Sequence, residues 1–408
     1  MTPTDLRQAL PRFEAFVQRF APLLGEDSRP ARVHAYLRGL LLDNDDNKTA
    51  EAIALKVHGQ PSHVRMTQVF VSQSPWPDEP LRQDLALWVD QQLGCADGIL
   101  VVDEGSFLKC GTKSVGVARQ YLGCVGKIAN GQVAVYLAYA SAHGHTFLDT
   151  RLYLPEEWTN DPERMAEAGV PAKVVFRTKP ELALELVRHR RQQVRHAWVT
   201  FDETYGRNAD FLSGLEELGE RYIGEVPKDT RGWLKRPAVE QPDASRKGRP
   251  LSKARLGVGE PAPQTVEAIA AALPSTAWQR RKFREGAKGA QVAHFARLRF
   301  VVERGGLPGP ELWLVIERGC DQQSHIKYYL SNAAPDCSLL AMVQPAHNRW
   351  TVEDCFLRGK DEVGLDEYEV QGWRGWHHHQ TLAMLALWFL VLEKRRLGGK
   401  TGHADDRA

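Results

Sequence analysis

"GILVVDEGSF", residues 98 to 107, is where the chain changes character. Before it, "LRQALPRFEAFVQRFAPLL", "PARVHAYLRGLLL", "TAEAIALKVHG" and "DEPLRQDLALWVDQQL" carry apolar residues at helical spacing, the last begun by a Pro-Asp-Glu helix start. The quoted run instead puts four apolar residues, Ile99 to Val102, directly before an acid, Asp103, as a buried strand would. "SVGVARQYLGCVG" and "QVAVYLAYASAHG" follow as two more β-rich runs separated by turn residues, which predicts an antiparallel meander. An acid closing a buried strand is costly unless it is paired or holds a metal. Asp103 is therefore a candidate site residue, although strand-end aspartates also start turns and cap helices.

The same pattern recurs further on. "KPELALELVRHRRQQ" reads as a helix, and "HAWVTFDETYG" as a second buried strand ending at Asp202. "RYIGEVP" adds a strand, after which residues 228–255 turn Pro-rich and polar, with nine Lys or Arg against three Asp or Glu. That segment predicts an inserted basic loop, with Arg246, Lys247 and Arg249 as candidate phosphate contacts together with Arg280, Arg281 and Lys282 beyond it. Strands resume in "FARLRFVVERG", "ELWLVIERG" and "IKYYLSN", and helices are expected around 336–345, 350–363 and 376–396. The expected division is an N-terminal helical region at 1–93, a candidate for DNA binding, a first catalytic part at 94–227, an insertion at 228–332, C-terminal helices at 333–397 and a disordered tail at 398–408. Helices as short as those of the first region could include a helix-turn-helix or could form a cap packed on the catalytic domain.

A helix over 350–363 places Val352, Cys355, Phe356 and Val363 on one apolar face. Relative to Val352, Arg349, Glu353 and Lys360 fall at about 60°, 100° and 80°, along one border of that face, and Asp354 falls at about 200°, toward solvent. Glu353 is thereby the third candidate acid and Asp354 is expected to be a surface charge. Two Asp and one Glu offer hard oxygen ligands suited to Mg²⁺ or Mn²⁺, two ions of which can serve in-line phosphoryl transfer. Arg349 and Lys360 would face DNA phosphates; an ordinary Arg349–Glu353 helical ion pair is the plainer alternative.

Other features point away from other classes. Hydrophobic residues make up 43% and charged residues 25%, as in an ordinary globular protein. No apolar run reaches the ~20 residues of a membrane span, and the start lacks a signal segment, so a cytoplasmic, nucleoid-associated protein is expected. Cys95, Cys110, Cys124, Cys320, Cys337 and Cys355 stand singly, with no paired zinc-type spacing, and are expected as reduced thiols in or near the core. His377, His378 and His379 are consecutive and cannot all face one metal, so a phosphate-contacting or solvated patch is expected there. "HGH" at 143–145 is expected in a turn, and Trp373 and Trp376 as a core aromatic pair.

Three segments together, "VVDEGSFLKCGTKSVGVARQYLGCVGKIANGQVAVYLAYAS", "WVTFDETYG" and "RWTVEDCFLRGKDEVGLDEYEVQGWRGWHHHQTLAMLALWFL", closely resemble the DDE-type transposases of the insertion-sequence 701 family. They also fit a wider transposase group in which the catalytic Glu follows an Arg by four positions and precedes a Lys by seven, the spacing of Arg349, Glu353 and Lys360. The resemblance implies an α/β, ribonuclease-H-like fold with a mixed sheet flanked by helices and an insertion between Asp202 and Glu353. It further implies catalysis of DNA cleavage and joining by Asp103, Asp202 and Glu353 on Mg²⁺, with at least two protomers acting on DNA. Departures are Glu104-Gly105-Ser106 where relatives commonly have Asp-Thr-Gly, Cys110 in place of a second basic residue, and Ala346 in place of a Tyr. The rival functional readings are a domesticated DNA-binding protein without strand transfer and a metal-dependent nuclease that does not join.

Overall fold

A computed structural model describes residues 3–42, 47–242, 253–286, 289–320 and 326–398. The expected DNA contacts Arg246, Lys247 and Arg249, and the tail beyond Gly398, lie outside the described residues. Helices α1 (Pro3–Phe20), α2 (Arg29–Leu41), α3 (Ala50–His58), α4 (Val64–Ser72) and α5 (Glu79–Leu93) come first. Strands β1 (Ile99–Leu108), β2 (Ala118–Leu122), β3 (Lys127–Ser141) and β4 (Gly144–Leu152) follow, then helices α6 (Glu156–Thr159), α7 (Pro162–Glu167) and α8 (Lys179–Arg190). Next are β5 (Trp198–Phe201), α9 (Glu203–Gly206), α10 (Ala209–Glu217), β6 (Tyr222–Val226), β7 (Arg231–Trp233), β8 (Val239–Glu240), β9 (Arg255–Leu256), β10 (Gln264–Thr265) and α11 (Val266–Ala271). The chain ends its regular structure with β11 (Gln279–Gly286), β12 (Gly289–Arg304), β13 (Leu307–Gly319), β14 (Ile326–Ser331), α12 (Leu339–His347), α13 (Trp350–Val363) and α14 (Trp373–Arg396).

Two compact units result, Met1–His196 with Trp350–Ala408, and Ala197–Arg349. Their cuts fall elsewhere than the expected boundaries at 93/94 and 227/228, because the first helices share a core with α14 and because strands on both sides of residue 228 pair with one another.

In the first unit β1, β2 and β4 all pair antiparallel with β3: β2 along its first residues, Lys127 to Gly131, and β1 and β4 along the rest, from Gly131 to Ala140 and from Ala134 to Ser141. The expected meander of β1, β2 and β3 is corrected: β1 pairs with β3 and not with β2, so the strands that lie side by side are β1, β3 and β4, the last unforeseen and beginning at Gly144. The "HGH" turn is accordingly shorter than expected: Ala142 and His143 turn, and His145 already pairs with Ala140. Helix α14 is buried from Gly375 through Phe389 and packs against α2, α4, α5, α13 and β4, so it is the core helix of this unit. The capping box Thr178–Glu181 starts α8 where the sequence reading placed a helix, each side chain closing the other's backbone N–H.

A buried ionic hub joins four of these elements. Asp149 on β4, fully inaccessible, is met by Arg82 of α5 at 2.8 Å, Arg151 of β4 at 2.9 Å and Arg190 of α8 at 2.7 Å. Arg82 also donates to Thr381 of α14 at 2.8 Å. Burial by itself would raise the Asp149 carboxyl, and the three guanidinium charges outweigh it and hold the group far below the usual carboxylate range.

In the second unit β5 and β6 pair parallel and the rest antiparallel, in the order β10-β7-β12-β13-β14-β6-β5, with β11 on β12. Helix α11 covers one face through Val266, Ile269 and Ala270 against Phe300, Leu312, Leu314 and Tyr328. The basic loop is more ordered at its flanks than expected: β8 pairs β9, and the Trp233 indole donates to Pro261 O at 2.8 Å. The architecture is the α/β, ribonuclease-H-like one expected, with a mixed sheet flanked by helices. Among the described residues no helix is long and apolar enough to cross a membrane.

Candidate active site

Asp103 lies in mid-strand and not at a strand end, since β1 continues to Leu108 in register with β3, Asp103 opposite Tyr136. The apolar run alone points to an earlier end, but the mixed residues after it, Asp103 to Leu108, keep pairing. Asp103 is half-buried, and its Oδ1 accepts the Glu104 N–H at 2.7 Å. Alternation along the strand puts Asp103, Gly105 and Phe107 on one face and Glu104 on the other, where it is bound to Lys179 of α8 at 2.6 Å.

Helix α13 lies on the Asp103 face. Thr351, Val352, Cys355, Gly359 and Val363 are buried, and the Phe356 ring packs edge-on to Tyr136 at 5.0 Å and tilted on Phe147 at 4.9 Å. Gly105 makes this seat possible, because a β-carbon there would stand 2.8 Å from both the Phe356 and Tyr136 rings. One turn later Lys360 Nζ lies 3.4 Å from Ser106 O and 5.7 Å from the centre of the Phe107 ring. Helix and strand therefore advance together: Phe356 goes with Gly105 and Lys360 with Phe107. Four helical residues and two strand residues each cover about 6 Å, so by the same advance the first turn of α13, which bears Glu353, would run alongside Asp103.

The burial of the acidic pair is the reverse of that expected. Glu353 is exposed, whereas Asp354 is half-buried, its Oδ2 2.7 Å from His145 Nε2 on β4 and 2.8 Å from Arg358 Nε one turn on. Burial would raise the Asp354 carboxyl; the His145 hydrogen bond and the Arg358 charge outweigh this and bring it down to about 2. Helical periodicity could not reveal this, since the partner comes from a strand 209 residues away in sequence. No sequence signal marked His145.

Asp202 belongs to the second unit. It follows β5 and caps α9, its Oδ1 accepting the Thr204 N–H at 2.9 Å and its Oδ2 the Thr204 hydroxyl at 3.2 Å. The turn-capping reading thus holds for Asp202. Arg349 is half-buried at the end of that unit. Arg280, Arg281 and Lys282 are exposed on β11, opposite His294, Ala293 and Val292 of β12. Among the described residues no three His, Cys, Asp or Glu side chains form a ready-made metal cluster.

The histidine run is neither a solvated nor a phosphate-contacting patch. His377 Nδ1 lies 2.9 Å from Trp373 O, His378 faces Val71 O and Trp76 O, and His379 lies between the Tyr36 hydroxyl and Gly364 O, each at 3.0 Å. Burial lowers all three, to about 4, 4 and 3, so the rings are neutral packing groups. Trp376 is fully buried, its Nε1 3.2 Å from the Tyr368 hydroxyl, and Trp373 is partly buried against His377. All six cysteines are free, but only Cys355 is buried; Cys110, Cys124 and Cys320 are exposed, which corrects the expectation of core thiols.

The profile of the DDE superfamily endonuclease family matches residues 19–290, and the chain belongs to that family. The match includes Asp103 and Asp202 and ends before α13. Over 157 residues the chain is 36% identical to the probable transposase for insertion sequence element IS701 of Microchaete diplosiphon. That stretch is 38% of this chain and 38% of the relative, so the chain matches well under half of that protein's length. Among solved structures, the NurA nuclease of Sulfolobus solfataricus aligns over 66% of this chain and 79% of its own at 10% identity, with a TM-score of 0.28, too loose a likeness to add to the assignment.

Proposed function

We propose that the protein is a DNA transposase that cuts phosphodiester bonds at the ends of a mobile element and joins the freed 3′-hydroxyls to target DNA. The observation that supports this reading is the seating of α13 on β1, with Phe356 over Gly105 on the strand face that also bears Asp103; on this reading the exposed Glu353 is the acid that meets Asp103. Asp202 is the third acid by resemblance to the family. The donor set is carboxylate oxygen throughout, which fits a hard divalent cation and suits neither zinc nor copper. Such ions, of the Mg²⁺ or Mn²⁺ type and two to a site, would lower the pKa of the attacking hydroxyl and offset charge on the leaving oxygen.

The chain's own residues then have distinct tasks. Asp103, on a paired strand, and Glu353, on a helix wedged over Gly105, are rigidly borne acids, which favours a fixed geometry at the reacting phosphate. Lys360 ties that helix to the Ser106 carbonyl and, with Arg349, supplies positive charge for DNA phosphates. Arg280, Arg281 and Lys282, with the basic segment around Arg246, extend the DNA contacts. The short helices α3 and α4, joined through Gly59 in a left-handed turn, suit end recognition. At least two protomers act together on paired ends, in the cytoplasm at the nucleoid.

The test uses duplex DNA taken from the sequence flanking the reading frame, incubated with Mg²⁺ and full-length protein. Wild type should cleave and join it. Asp103→Asn, Asp202→Asn and Glu353→Gln should each lose several orders of magnitude in cleavage while retaining binding. Cleavage by Glu353→Gln at the wild-type rate would refute the assignment, and cleavage without joining by wild type would favour the nuclease.

A further inference from the structure

We propose that His145 is a positioning residue for Glu353: by gripping Asp354 together with Arg358, it fixes the rotation of α13 and so the direction in which the neighbouring carboxylate points. The inference rests on the reading of Glu353 as a metal-holding acid.

The argument is one of rotation about a helix axis. Glu353 lies about 60° from Phe356 on one side and about 100° from Asp354 on the other, at 100° per residue. Phe356 is held by the rings of Tyr136 and Phe147, and Asp354 by His145 at 2.7 Å. Turning the helix either way to redirect Glu353 strains one of these attachments. The ring contact alone would leave freedom, since aromatic packing tolerates sliding, whereas a charge-assisted hydrogen bond of this length is directional.

His145 is well placed to act as a fixed point. It pairs with Ala140 immediately after the turn joining β3 and β4, and its ring stands edge-on to Trp350, the first residue of α13, at 5.8 Å. The histidine therefore touches the helix at two successive turns on the side away from Lys360. Arg358 shares the same Asp354 oxygen, but it rides on α13 and cannot by itself tie the helix to the sheet. Among the described residues it is His145 that connects Asp354 to β4. Partners that orient ligands in this way typically alter metal affinity or activity by about 10–100-fold when removed.

The experiment compares wild type, His145→Ala, His145→Gln, Asp354→Asn and, as reference, Glu353→Gln in full-length protein. Four readings are taken: Mn²⁺ affinity by calorimetry; kcat and KM for cleavage of the flanking-sequence duplex; amide hydrogen exchange of the 350–358 segment without metal; and melting temperature. His145→Ala should weaken Mn²⁺ binding and lower kcat by about tenfold or more, with KM for DNA within about twofold. Exchange in 350–358 should quicken, with the melting temperature little changed. His145→Gln, whose amide can still donate to Asp354, should recover most of the loss. Wild-type metal binding and kcat in His145→Ala, or no recovery in His145→Gln, would overturn the proposal. If Glu353→Gln cleaves normally, the underlying reading has failed; if it is inactive while His145→Ala is normal, only the positioning role has.

Discussion

His145 Nε2 and Asp354 Oδ2 stand 2.7 Å apart, tying a strand of the first unit to the helix that carries Glu353. A site on such a helix is as precise as the contacts seating it, and those contacts can be perturbed one at a time.

One of them is at Gly105. Gly105→Ala should push α13 off β1, because its new methyl meets two aromatic rings at 2.8 Å, and should cost about 1–3 kcal/mol of stability and at least tenfold in cleavage. Adding Phe356→Leu should restore part of both. Thermal unfolding and cleavage rates of the single and double variants check this; an unaffected Gly105→Ala would mean that the helix is not seated on that glycine.

At Asp149 the expectation is a loss of fold. Asp149→Asn keeps the shape but leaves three guanidinium groups around a neutral amide, with a cost of about 3–5 kcal/mol. Urea unfolding should show the midpoint falling sharply, and a midpoint equal to that of wild type would contradict the hub's structural weight.

The buried histidines set an acid limit on stability. Unfolded, each takes up its proton near pH 6.5; folded, burial delays this to about 4 for His377 and His378 and about 3 for His379, with Asp78 drawing the first two upward and Arg82 drawing His377 downward. The unfolded chain therefore binds more protons across that interval. Stability is full above about pH 6.5 and falls as pH drops toward 4, with a slope approaching about 4 kcal/mol per pH unit for three protons. Melting temperatures from pH 7.5 to 4.5 test the sign, and a melting point rising on acidification would refute it.

On β11 the strand geometry limits how many cations can meet one DNA backbone. Arg280 and Lys282 share a face and Arg281 points to the other, so Arg280→Ala with Lys282→Ala should flatten the slope of log affinity against log salt by about 1.8. Arg281→Ala alone should change it less. Salt titrations of duplex binding measure both, and an unchanged slope in the double variant would remove this strand from the DNA surface.

Much of the fold was legible because its strands and helices declare themselves through apolar spacing. β1, β3, β6, β12, β13 and β14 were all readable as apolar runs, and α13 was placed at its observed bounds. β4 was not, since Thr146, Asp149, Thr150 and Arg151 hide a buried strand behind a polar sequence whose burial is supported by the arginine hub. The acids themselves stood out, yet their surroundings did not. Asp354 looked solvated because a helical wheel knows nothing of His145, and three adjacent histidines looked like a surface patch because their acceptors are backbone carbonyls that no side-chain pattern announces.

The first unit is interrupted: the chain leaves it at His196 and returns at Trp350. Its core helix, α14, thus emerges from a ribosome after residues 197–349, although α2, α4 and α5, which pack on it, emerge before them. During synthesis those early helices must wait with uncovered apolar faces while residues 197–349 are made and can already collapse on their own core. A message that stopped in the second unit would yield no half-active enzyme, only a nascent segment destined for chaperones or proteolysis, so translation through α14 is itself a checkpoint on activity.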